Sequence, residues 1–315
     1  MSYTIIRPRN RQDWLKHREC GIGSSEVGTI LGLNPFDTPY QLWRRKKGID
    51  SPKQENFAMK AGHYLEDAVS LFYRDETGKE IIKRSAGDWL IVNNNKPFLR
   101  VSPDRTYWIP DMPKNEHNKG ILECKTTQME IDEDSVPQHW FVQLQYQLGV
   151  SELPQGALAW LTMGRSFGYR DFMFDKEFYD WLVEEVEKFW RDYIIGDNEP
   201  LPVNVDDVLL KNPRHLIGKV VEANDELLEE CRQLRELKEE LCSMTDRKKE
   251  LEASIKMAMG DAEALVYPKT AKPIATWKAS KSSMKFDEKR FAEENPELYA
   301  SYQYEVSGNR KFLLK

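Results

Sequence analysis

The chain has 315 residues, 40% of them hydrophobic and 11% aromatic, with a net charge of -6. That is enough for one catalytic core and a smaller appendage, while the absence of any run near the roughly 18 apolar residues of a membrane span argues against a membrane role. Four scattered cysteines (Cys20, Cys124, Cys231, Cys242) have neither zinc-ligand spacing nor the density of a disulfide scaffold. The opening MSYTIIRPRNRQDW lacks a secretion pattern, so the expected compartment is the cytoplasm.

The first quarter reads as helices. Arg11–Glu19 comes first, then a segment opened by Ser24-Ser25, then one with Thr38 as N-cap, Pro39 as first residue and Gly48 as stop. A longer helix is expected from about Gln54 to Thr77, closed by Gly78, with Leu65, Val69 and Phe72 on its apolar face. Short strands follow at Ile81–Arg84, Trp89–Asn93, Pro97–Ser102 and, after a polar loop, Ile121–Thr126. Pro137 starts a helix running through Val150. Strand-like runs at Gly156–Met163 and Gly168–Phe174 precede an amphipathic helix over Asp175–Ile195. The order predicts an α/β core with a mixed sheet over residues 1–200.

Gly196–Pro213 is rich in Pro, Asn and Asp and reads as part of a linker, 201–220. Over 221–263, apolar residues recur at spacings of three and four, among them Leu234, Leu237, Leu241, Met244, Leu251 and Ile255, interrupted by Lys248. This is the seam of a coiled coil or helical hairpin, although packing on the chain's own domain would look the same. The tail, 264–315, reads as a small α+β segment with strands at Ile274–Trp277 and Tyr302–Leu314 and a helix near Asp287–Glu294.

Charge is unevenly distributed. Residues 1–50 hold nine Lys/Arg against five Asp/Glu, whereas 221–263 hold seven against thirteen. A local phosphate-binding surface is compatible with this asymmetry.

The chemistry-bearing pattern is Ser102-Pro103-Asp104 followed by Glu123-Cys124-Lys125 in an apolar strand. Side-chain alternation puts Glu123 and Lys125 on one face. Asp104 and Glu123 can share a Mg²⁺ ion for phosphodiester hydrolysis, with the Lys125 ammonium positioning water or stabilising developing charge. Glu66 on the long helix can supply a third carboxylate, and Gln143 an amide that orients water; a surface glutamate and a capped core amide remain the plain alternatives. Arg18 and the turn Gly21-Ile22-Gly23-Ser24-Ser25-Glu26 make a candidate phosphate pocket, though such turns also occur without ligands.

Five segments occur together in order: GIGSSEVGTILGLNPFDTPYQLWRRKKG (21–48), AGHYLEDAVSLFYRDETG (61–78), VSPDRTYW (101–108), ILECKTT (121–127) and VPQHWFVQLQYQLGVS (136–151). With them the chain resembles the YqaJ-type viral recombinase family, related to lambda exonuclease within the restriction-endonuclease-like nucleases. The resemblance implies a restriction-endonuclease-like core and 5′-to-3′ degradation of linear duplex DNA with a free end, using one or two Mg²⁺ or Mn²⁺ ions. It makes Glu66, Asp104 and Glu123 metal ligands, Lys125 the catalytic lysine and Gln143 an active-site glutamine. Arg18, Ser25 and Ser102 fall where the terminal phosphate is gripped. A single-strand annealing protein and a ring-like homotrimer are the implied partners, while the coiled-coil stretch is equally suited to recruit the annealing protein or a single-strand-binding protein. Thr126–Ile131 departs from the pattern by lacking a phosphate-binding arginine. Two other readings stay open: a metal-dependent endonuclease, and a catalytically silent scaffold with a nuclease fold.

Overall fold

A computed structural model of the chain describes residues 2–51, 56–82, 89–163, 165–305, 308 and 310–314. The chain divides into two compact units, Met1–Lys211 and Asn212–Lys315.

The first unit contains β1 (Tyr3–Ile6), α1 (Arg11–Glu19), β2 (Ile22–Gly23), α2 (Ser24–Ile30), α3 (Pro39–Lys46) and α4 (Phe57–Thr77). After these come β3 (Ile81–Ile82), β4 (Leu90–Asn93), β5 (Leu99–Val101), β6 (Arg105–Trp108) and β7 (Lys119–Thr127). Next are α5 (Gln138–Ser151), β8 (Gln155–Thr162), β9 (Ser166–Met173), α6 (Lys176–Phe189), which runs into a π-helical turn Trp190–Ile195, and α7 (Val205–Lys211).

Five strands form the main sheet in the order β3-β6-β7-β8-β9, and four form a second sheet in the order β1-β4-β5-β2. The main sheet is antiparallel except for β7 and β8, which run parallel because α5 supplies the crossover between them. Both sheets are therefore mixed or contain a parallel pair, and the α/β class expected from the sequence is the one found.

Helix α5 is the pivot of the core. Its Val142, Tyr146 and Val150 join Ile22, Ile91, Leu99 and Val101 beside the smaller sheet, while Trp140, Leu144 and Leu148 pack with Ile121, Leu158 and Trp160 of the main sheet. With both sides buried, the helix carries almost no polar face except Gln143, Gln145 and Gln147, whose amide nitrogens find partners. Gly149 allows the approach of α6, since a Cβ there would lie 2.2 Å from the Tyr179 ring. The opposite face of the main sheet, Leu122, Cys124, Ala157 and Ala159, is covered by Val69 and Tyr73 of α4.

Several expectations change. The buried stripe of α4 is Glu66, Val69, Ser70 and Tyr73 rather than Leu65, Val69 and Phe72; Phe72 is 46% exposed. Asn56 caps α4, and Gln54 and the end of the Ile81–Arg84 run lie outside the described residues. β1, β2 and β6 are not among the expected strands; each is a short run held as a strand by its partner in the sheet, β4, β5 and β7 respectively. The Gly196–Pro213 segment contains α7, whose Asp207 is fully buried and accepts from Thr38 Oγ (2.9 Å), Gln41 Nε2 (2.8 Å) and the Val203 N–H (3.1 Å). Its polar composition serves this buried carboxylate.

In the second unit, α8 (Asp225–Met259) is one uninterrupted helix of 35 residues, capped by the Asn224 side chain. β10 (Ala264–Val266) and β11 (Pro273–Thr276) form an antiparallel pair, followed by α9 (Glu288–Glu294) and α10 (Pro296–Ser301). Tyr302–Leu314 contains no strand among its described residues. Its aromatic residues Tyr302, Tyr304 and Phe312 are exposed, so the apolar content that suggested a strand has no sheet to join. None of the described helices is long and apolar enough to cross a membrane.

Candidate functional site

Glu123 lies near the middle of β7, only 3% exposed, on the face that meets α5. A buried carboxylate needs compensating donors, and three side chains supply them. Lys125 Nζ donates to Glu123 Oε1 at 2.8 Å, Gln143 Nε2 donates to the same oxygen, and Gln147 Nε2 donates to Oε2 at 2.9 Å. Lys125 also donates to Gln143 Oε1 at 2.9 Å, closing a three-residue ring. Alternation along the strand and the four-residue pitch of the helix make this possible, since Gln143 and Gln147 share one α5 face.

Asp104 sits between β5 and β6, and its Oδ2 accepts the Cys124 backbone N–H at 2.8 Å. Burial pushes the Asp104 carboxyl well above the usual range, and the charges of Glu123 and Glu66 push it further. Lys125 and the Cys124 N–H act in the opposite direction. For Lys125, burial alone would lower the pKa, but Glu123 and Asp104 outweigh it and the ammonium is held above its ordinary value.

Glu66, 9% exposed, reaches this cluster from the buried stripe of α4. His63 Nδ1 is 2.9 Å from its Oε1, and Arg105 Nη1 is 3.7 Å from Oε2. Arg105 also binds Asp67 at 2.9 Å, while its buried Nε has no hydrogen-bond partner. Asp104 is thus within electrostatic range of both Glu123 and Glu66, and carboxylate oxygens are the donors that a hard divalent cation uses. As they stand, their oxygens are engaged by Lys125, the two glutamines, His63 and the Cys124 N–H, and among the described residues no three His, Cys, Asp or Glu side chains form a ready metal cage. The surplus of negative charge around a desolvated Asp104 is the feature that fits a cation.

Arg18 and Ser25 meet at the start of α2. Arg18 Nη2 donates to Ser25 Oγ at 2.5 Å, and the guanidinium lies 5.1 Å from the centre of the Trp14 ring. The turn is drawn against β5, where a Cβ on Gly21 would lie 2.4 Å from the Phe98 carbonyl oxygen. Ser24, next to Ser25, accepts from Gln147 Nε2 at 3.1 Å, so a single amide connects this turn to Glu123. Ser102 differs: its hydroxyl donates to the Trp89 carbonyl at 2.8 Å.

Gln147, His63 and Arg105 are not among the site residues the sequence suggests, and Ser24 is there only as part of the candidate phosphate turn. Gln147 had a usable signal, its four-residue spacing from Gln143. Arg105 and His63 had none beyond adjacency to Asp104 and Glu66.

Residues 13–154 match the family model described as the YqaJ-like viral recombinase domain. The chain is 29% identical over 312 residues to the uncharacterized protein YqaJ of Bacillus subtilis (strain 168), covering 96% of this chain and 93% of that one. The uncharacterized protein R354 of Acanthamoeba polyphaga mimivirus is 22% identical over 180 residues, 52% of this chain and 31% of that one. Among solved structures, the alkaline exonuclease LHK-Exo from Laribacter hongkongensis aligns at 14% identity and TM-score 0.47, over 64% of this chain and 96% of that one. A phage-related exonuclease from Haemophilus somnus 129PT aligns at 12% identity and TM-score 0.37, over 56% and 94%. Residues 13–154 are accordingly similar to the YqaJ-like viral recombinase domain, and the chain is similar to the Bacillus subtilis YqaJ protein over nearly its whole length.

Proposed function

We propose that the chain is a divalent-metal-dependent DNA nuclease that degrades linear duplex from a free end, 5′ to 3′, leaving a single strand for an annealing partner. The observation that carries this reading is the convergence of Glu123, Lys125, Gln143 and Asp104, with Glu66 in electrostatic range, around β7, the central strand of the main sheet. A viral recombinase domain is consistent with DNA as the substrate.

Glu66, Asp104 and Glu123 would hold Mg²⁺ or Mn²⁺. Such an ion supplies charge neutralisation at the scissile phosphate and an acidified water. Lys125 contributes a compact cation kept protonated by its carboxylate neighbours, suited to holding the attacking water or a phosphoryl oxygen. Gln143 fixes both Lys125 and Glu123, leaving little rotamer freedom in either. Arg18 with Ser25 offers a guanidinium and a hydroxyl to a terminal 5′-phosphate.

The test is incubation of the pure protein with Mg²⁺ and end-labelled linear duplex, 5′-phosphorylated or not, beside a closed circle. Loss of linear DNA alone, fastest from phosphorylated ends, supports the proposal. Cutting of the circle supports an endonuclease instead, and unchanged degradation by Asp104→Ala or Lys125→Ala would move catalysis away from this site.

A further inference from the structure

Helix α8 exposes an apolar seam along most of its length. Leu237 is 54% exposed, Leu241 62%, Met244 68% and Leu251 50%, with Leu227 and Ile255 each at 44%. Their spacing follows a heptad in which two inward positions are charged, Glu230 and Lys248. These two interruptions have opposite sign. The helix as a whole is also polarised: 225–240 carries seven acids and three bases, and 241–259 three acids and four bases.

We propose that α8 pairs with α8 of a second copy of this chain as an antiparallel coiled coil. A parallel, in-register pair would set Glu230 against Glu230 and Lys248 against Lys248, two like-charge contacts inside the seam. The antiparallel pair that places Glu230 opposite Lys248 of the second copy satisfies both at once. It also faces Leu227 with Leu251, Leu234 with Met244, and Leu237 with Leu241, and sets each acidic half against the more basic half. A surface that is self-complementary under a two-fold rotation is what closes a dimer. On the helix surface Met244, Lys248, Leu251 and Ile255 line a shallow, open groove. In this register it receives Leu227, Glu230 and Leu234 of the second copy. Within the single chain Lys248 pairs with Glu252 at 3.6 Å on the helix surface. The pairing is independent of the nuclease reading, since none of these residues lies in the carboxylate cluster.

Directional crosslinking of the full chain tests it. In a background with Cys20→Ser, Cys231→Ser and Cys242→Ser, Leu227→Cys and Leu251→Cys proteins are oxidised separately and mixed. A covalent dimer formed only on mixing supports the antiparallel pair. Efficient self-crosslinking of each protein alone means a parallel pair and overturns the proposal, as does the absence of any crosslink in a chain that sediments as a monomer. Charge exchange gives a second reading: Glu230→Lys weakens dimerisation by roughly tenfold, about 1.4 kcal/mol, and adding Lys248→Glu restores it. A parallel pair would show no restoration. Helix content by circular dichroism separates lost pairing from lost folding.

Discussion

Glu123 and Gln147 are joined by a 2.9 Å hydrogen bond in which the Gln147 amide nitrogen donates to Oε2, while the same nitrogen donates to Ser24 Oγ. The amide therefore ties the acidic strand to the turn that carries Ser25. Its own oxygen, Oε1, is buried without a hydrogen-bond partner, an arrangement that costs about 1–3 kcal/mol.

Gln147→Leu removes one of three donors holding Glu123. The nuclease turnover number is expected to fall by about 10- to 100-fold, the usual effect of losing a residue that orients a metal-binding carboxylate, with little change in KM for duplex DNA. Steady-state kinetics at saturating Mg²⁺ check this, and Gln147→Glu, which sets a carboxylate against Glu123, is expected to be worse.

Lys125→Met removes the ammonium that bridges Glu123 and Gln143. A loss on the order of 10²- to 10³-fold in cleavage rate is expected. Lys125→Arg should not recover it, because the planar guanidinium cannot replace a compact charge in a ring closed at 2.8 and 2.9 Å.

Asp104 is held above the ordinary carboxylate range by burial and by Glu123 and Glu66. The sign follows from linkage. Stability associated with its protonation is complete below the unfolded carboxylate pKa of about 3.9 and is lost as pH climbs through the raised folded value. Metal-free Asp104→Asn escapes that loss. Its melting temperature should exceed that of the metal-free parent at neutral pH by roughly 2–4 °C per kcal/mol relieved, with the gap closing toward pH 4 and on adding Mg²⁺ to the parent. Calorimetry across pH, with and without Mg²⁺, measures both trends.

Arg18→Ala removes the guanidinium that rests on Trp14 and donates to Ser25. The rate ratio between 5′-phosphorylated and 5′-hydroxyl linear duplex is expected to drop by about tenfold, the value of a charge-assisted hydrogen bond. Cleavage from unphosphorylated ends should change little.

Asp207→Ala removes a fully buried carboxylate that accepts from Thr38, Gln41 and Val203, leaving these three donors without their acceptor. A stability loss of about 2–4 kcal/mol is expected in urea unfolding. Nuclease rates at low temperature should stay near those of the parent, since Asp207 lies outside the carboxylate cluster.

Local patterning alone was enough for most helices and for the long strands. Thr38-Pro39 and Gly48 bracket α3, Gly78 ends α4 in a left-handed conformation at φ 69°, and alternation along β7 put Glu123 and Lys125 on one face. These signals were readable because caps, turn residues and strand alternation act within a few neighbouring residues. Only tertiary structure decided the rest. β1, β2 and β6 are strands because partners in the sheets hold them. α7 is anchored through the bonds of Asp207 to Thr38 and Gln41, 169 and 166 residues away in the chain. Glu66 faces inward, and Gln147 connects the Arg18–Ser25 turn to Glu123. Such choices depend on which buried polar atom finds a partner across long stretches of chain, and no local spacing encodes that.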